Sequence, residues 1–100
     1  MSSERQLRDQ AWIGDAVLAL FVREWLLTNE LAHLTERDRS KLFELFTSNR
    51  FLASFGEPTK IEASIGRVFA ASGLDAAFGH IRETLLERFR QVARNRGFRV

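Results

Sequence analysis

Apolar positions recur at helical spacing along almost the whole chain. From Ala11 to Val22 the sequence reads Ala-Trp-Ile-Gly-Asp-Ala-Val-Leu-Ala-Leu-Phe-Val. That stretch is apolar nearly all round, the pattern of a helix buried in the middle of its domain. Trp25, Leu26 and Leu27 extend it, so a first helix is predicted from about Glu4 to Thr28, with Thr28-Asn29 as the break. Thr35 is a candidate N-cap, followed by Asp38 at the place where a capping box usually has Glu or Gln. Leu42, Phe43, Leu45 and Phe46 carry a second helix to about Asn49, and Arg50 to Ser54 forms or continues a short one. Gly56-Glu57-Pro58 is the clearest interruption, and Pro58 suits the first turn of the next helix. That helix is predicted over Thr59 to Ala71, closed by Ser72-Gly73 with the glycine as a left-handed cap. Asp75 is the expected cap of the last helix, which runs to about Arg96 and stops at Gly97. One proline and no Asn-Gly or Asp-Gly pair leave strands without a turn signal. The predicted class is all-α, a compact bundle of about five helices, with residues 1–100 as one domain.

Composition narrows the function classes. Hydrophobic residues make up 45% and charged residues 28% of the chain, ordinary globular values that argue against disorder. A chain of 100 residues buries a thin core, which a homodimer would thicken. Cysteine is absent, which excludes disulfides and thiolate metal sites and makes the cytoplasm the expected compartment. The longest apolar run, Ala16 to Val22, is too short to span a bilayer, and Met1 to Arg5 contains no apolar signal core. No membrane partner is therefore expected. His33 and His80 are far apart and do not suggest a zinc site.

The formal charge is +2, and every basic residue except Lys41 and Lys60 is an arginine. Arginine binds phosphate bidentately, which lysine does not. From Arg88 to Arg99 there are five arginines and no acid. Such a tail could meet nucleic acid, or it could be a solvated helix end whose cations oppose the helix dipole.

Two carboxylates stand out. Asp15 is followed by seven apolar residues and preceded by Gly14, although glycine inside a helix costs about 1 kcal/mol against alanine. Glu62 lies between Ile61 and Ala63, with Gly66 one turn along the same face. Two helices with a glycine beside an acid could pack closely and bring the acids together. Paired carboxylates repel, and a divalent cation between them relieves the repulsion. Mg²⁺ takes one or two carboxylates, several waters and phosphate oxygens, the coordination of metal-assisted phosphodiester hydrolysis. The alternative is that each acid pairs with an arginine (Arg8, Arg23 and Arg67 are available) or faces water.

The segment Ala11-Trp12-Ile13-Gly14-Asp15-Ala16-Val17-Leu18 resembles the signature helix of ribonuclease III, and Thr59 to Phe69 resembles that family's second catalytic helix. Leu34-Thr35-Glu36 and Leu45 to Ala53 resemble its middle helices, and Gly73-Leu74-Asp75-Ala76-Ala77 its Gly-Leu-Glu-Ala-Ala step. The likeness runs in order from about Asp9 to Arg82. It implies a ribonuclease III endonuclease-domain bundle that works as a two-fold homodimer on double-stranded RNA. It also implies that Asp15 and Glu62 are the catalytic, metal-binding carboxylates, with Mg²⁺ (or Mn²⁺) as cofactor and Glu36 as an accessory acid directed at the partner subunit's site. Each site would cut one strand and leave a 5′ phosphate and a 3′ hydroxyl. Ala11 and Thr59 stand where ribonuclease III proper has two further acids. The Mini-III branch shares both replacements and also lacks a double-stranded-RNA-binding domain, so it is the closer resemblance, with ribosomal RNA maturation as its analogy. Unlike Mini-III, the chain has only Gly56-Glu57-Pro58 where that branch carries a long loop. Arg23, Lys60 and Arg67 are candidate RNA contacts, and Trp12, Ile13, Val17, Leu18 and Phe21 are read as core and dimer interface. Two other functions fit the same pattern: a catalytically inactive relative that binds RNA or a ribonucleoprotein, and a helical protein-interaction dimer.

Overall fold

Every regular element of the protein's computed structural model is helical, and the structure describes residues 2–100, the side chain of Ser2 excepted. The order is α1 (Ser2–Leu26), a 3₁₀ turn (Asn29–Leu31), α2 (Glu36–Phe46), α3 (Asn49–Leu52), α4 (Pro58–Ser72), α5 (Leu74–Ile81), a π-helical turn (Arg82–Leu86) and α6 (Glu87–Asn95). The segments from Leu74 to Asn95 follow one another without a break, so the described chain forms five helical rods. No described helix is long and apolar enough to cross a membrane.

Local chemistry sets the boundaries. The first helix ends at Leu26, short of the predicted Thr28, because Thr28 turns extended and its hydroxyl donates to the Trp25 carbonyl at 2.8 Å. Thr35 caps α2 as expected, its Oγ1 accepting from the Asp38 amide at 3.1 Å. The second helix stops at Phe46, three residues before the predicted Asn49. There the hydroxyls of Thr47 and Ser48 donate to the Phe43 and Leu45 carbonyls, at 2.8 and 2.7 Å. Ser48 then caps α3, which begins at Asn49 and ends at Leu52 rather than Ser54. Pro58 opens α4 as predicted. Gly73 closes it with φ +89° and ψ −177°, a conformation open to glycine but extended in ψ rather than left-handed helical. The expected Asp75 cap is absent: Gly73 holds that position and Asp75 already lies in the first turn of α5. At the other end, Gly97 (φ +94°) forms a Schellman stop, with Phe98 N donating to Ala93 O at 3.1 Å and Gly97 N to Arg94 O at 3.0 Å.

The core is organised by α1. It packs most extensively on α4 and also touches α2 and α5. Leu18 and Val22 are fully buried, together with Leu42, Phe46, Leu52, Ile65, Ile81 and Phe89 from the surrounding elements. Phe46 and Phe89 stack with centroids 4.1 Å apart, and Trp25 and Phe51 meet both rings edge-on. The prediction that α1 is buried all round needs correction. Val17, Leu18 and Phe21 are core, but Trp12, Ile13 and Leu20 are 78%, 45% and 40% exposed in the single chain.

Candidate functional site

Two glycines bring α1 and α4 into backbone contact. A Cβ on Gly14 would overlap the Glu62 carbonyl, and a Cβ on Gly66 would overlap the Gln10 carbonyl. No side chain separates the two helices at either crossing point, and the carboxylates next to this contact are brought together. Asp15 follows Gly14, and Glu62 is the residue whose backbone Gly14 touches. The close approach expected from the glycine–acid pattern is therefore present.

A cleft opens over this contact. Arg8, Ala11, Trp12 and Asp15 line it from α1, and Thr59 and Glu62 from α4. The spacing follows from helix geometry: positions 8, 11, 12 and 15 share one face, as do 59 and 62.

The environment of the two acids differs from the sequence expectation in one respect. Asp15 is exposed, because its apolar neighbours Val17, Leu18 and Phe21 turn inward while Trp12 and Ala16 share its open side. The desolvation falls on Glu62, which is half-buried. Burial, a hydrogen bond to Asp15 and the charge of Asp15, in that order, push the Glu62 pKa from 4.5 up to about 7. At neutral pH the pair therefore holds a proton part of the time. Neither acid joins an ion pair among the described residues.

The other predicted residues lie elsewhere. Arg23 stands over the Phe43 ring, 4.3 Å from its centroid. Arg67 Nη1 donates to Gln10 Oε1 at 3.4 Å, and Lys60 Nζ is 3.9 Å from the Glu57 carboxylate. None of these three candidate RNA contacts lines the cleft, and neither does Glu36, exposed in the first turn of α2. The cation that does line it is Arg8, which the sequence offered only as a partner for an acid. Its signal was positional, one turn from Trp12 and two turns from Asp15.

Two carboxylates and no third acid or histidine form the potential donor set, since no cluster of three such residues occurs among the described residues. The set suits a hard divalent cation such as Mg²⁺, which uses one or two carboxylates and keeps several waters. It does not suit zinc, which takes nitrogen or sulfur donors and three or four protein ligands. No protein-family model, curated protein or solved structure matches the chain.

Proposed function

We propose that the protein is a metal-dependent endoribonuclease of ribonuclease III type, acting on double-stranded RNA as a homodimer. One observation carries the reading. Positions 11, 15, 59 and 62, which the resemblance makes the acid positions of that family, all line the one cleft, with Asp15 and Glu62 as the carboxylates retained there. In this reading Asp15 and Glu62 hold Mg²⁺, or Mn²⁺ in its place, directly. When bound, the ion lowers the pKa of a coordinated water and offsets charge developing on the phosphate.

The chain's own residues define the rest. Glu62 surrenders the proton it shares with Asp15 when a cation takes over the task of separating two negative charges. Arg8, at the wall of the cleft, offers a guanidinium to a phosphodiester oxygen. Gly14 and Gly66 fix the separation of the helices and so the separation of the carboxylates. Duplex RNA is the substrate class that the resemblance implies, and shape and phosphate contacts suffice to hold an A-form helix, whose bases lie deep in a narrow groove. The exposed apolar side chains of Trp12, Ile13 and Leu20 favour a second copy packed on α1.

The test is incubation of the purified protein with a plain RNA duplex and Mg²⁺ at low salt, beside Asp15→Asn and an EDTA control. The expected result is metal-dependent cleavage that falls by at least about 100-fold in the variant, the scale of losing a charge-stabilising group. A duplex left intact by the wild-type protein contradicts the nuclease and returns the chain to an RNA binder or an interaction dimer, which a gel shift in the same samples separates.

A further inference from the structure

A second charged surface lies away from the carboxylate cleft and shares no lining residue with it. It is a groove between the C-terminal part of α2, α3 and α6, walled by Lys41, Arg50, Arg88 and Arg96. Glu44 is the only acid that lines it.

The arginines of the tail divide by face. Glu87 Oε2 lies 3.6 Å from Arg90 and Glu87 Oε1 4.0 Å from Arg94, so these two share one carboxylate. Arg88 and Arg96 face the groove, and among the described residues neither they nor Lys41 and Arg50 join an ion pair. The C-terminal wall is held in place. The Gly97 stop returns the chain, Phe98 packs against the core cluster, and the Arg94 Nε donates to the Val100 carbonyl at 2.8 Å. His33 Nε2 lies 2.8 Å from the Arg99 carbonyl and ties the same segment to the loop before α2.

We propose that this groove holds the phosphate backbone of double-stranded RNA. The inference deepens the nuclease reading and rests on it for duplex RNA as the ligand. Arg88 and Arg96 are two turns apart, a rise of about 12 Å. A duplex strand presents a phosphate every few ångström along its axis, so both guanidiniums can meet the backbone of one strand. A concave wall of cations suits a rod-like polyanion. A lipid surface would want large apolar side chains beside the cations. The exposed ones here, Trp12, Ile13, Leu20, Leu27, Phe69 and Leu74, all lie outside the groove.

The test uses the full chain with a short RNA duplex in EDTA, so that no strand is cut, over a series of salt concentrations. R88Q/R96Q and K41Q/R50Q remove cations from opposite walls, and R82Q/R90Q removes two cations that line a different depression, beside Phe21 and Trp25. Far-ultraviolet circular dichroism melts check folding. Each groove variant is expected to weaken binding at least about tenfold at low salt and to reduce the slope of log K against log salt by about two, one per lost phosphate contact. R82Q/R90Q should do neither. Unchanged affinity and slope in both folded groove variants overturns the proposal, as does an equal loss in R82Q/R90Q or the absence of duplex binding by the wild-type protein. Adsorption to phosphatidylserine vesicles without duplex binding overturns it in favour of a lipid ligand. Failure of the nuclease reading gives a different pattern, with groove-dependent binding intact and no cleavage when Mg²⁺ is added.

Discussion

Glu62 sits where three effects point the same way: partial burial, a hydrogen bond to Asp15 and the charge of Asp15 all favour its protonated form. Its folded-state pKa, about 7, exceeds the unfolded value near 4.5, so the folded chain binds the proton more tightly than the unfolded one. The contribution to stability is complete below about pH 4.5 and is lost as pH rises through about 7. Glu62→Gln, which keeps the neutral shape, is expected to flatten this fall. In metal-free buffer the variant should melt higher than the wild-type protein at pH 8, and the difference should shrink toward pH 5. Parallel melting curves across that range would contradict the paired-carboxylate account. At this scale the sequence was informative about which acids meet, because Gly14 adjoins Asp15 and Gly66 lies one turn from Glu62, both in apolar surroundings. It misjudged the exposure of Asp15 and the part of Arg8, since a stretch apolar on every side does not reveal which face turns to the core.

The α1–α4 crossing depends on two glycines that no other residue can replace without moving a helix. Gly14→Ala places a methyl group into the Glu62 carbonyl, and the helices must separate to admit it. The expected cost is about 1–3 kcal/mol, the usual range for overpacking, or a fall in Tm of at least about 4 °C for a chain of this size. Thermal denaturation measures it, and Gly79→Ala is the control, because a Cβ there meets nothing within 4 Å. An equal rise in Tm at both positions would mean that helix propensity rather than close approach governs Gly14. The helices themselves were legible in the apolar spacing, in the cap at Thr35, in the first turn at Pro58 and in the stop at Gly97. The ends that moved are those where Thr28, Thr47 and Ser48 turn their hydroxyls onto the preceding turn, a local competition that apolar spacing does not register. The π-helical turn at Arg82–Leu86 likewise left no mark on the pattern; within it the Thr84 hydroxyl donates to the His80 carbonyl at 2.6 Å.

Across the whole molecule, α1 divides its apolar side chains between two uses. One side fills the core with Val17, Leu18, Phe21 and Val22, while Ile13 and Leu20, and Leu27 just past the helix end, recur every seventh residue on the outside. On the proposed reading a second copy covers that outer seam. Sedimentation should then find a dimer for the wild-type protein and a folded monomer for Leu20→Asp, whereas a monomeric wild-type protein contradicts the two-fold assembly. The all-helical class followed from the sequence because nearly every segment kept one spacing. The division of α1 into core and open faces did not, because it depends on where α4 and α5 pack.

The central claim is that Asp15 and Glu62 form one divalent-cation site, and it can be tested without knowing the natural RNA. Adding Mn²⁺ in small steps to the ¹⁵N-labelled protein and following amide signals reads the location of the ion directly. The account predicts that broadening begins at Gly14, Asp15, Glu62 and their neighbours, and that Asp15→Asn removes it at the same Mn²⁺ concentration. Broadening centred elsewhere, or unchanged in that variant, would contradict it.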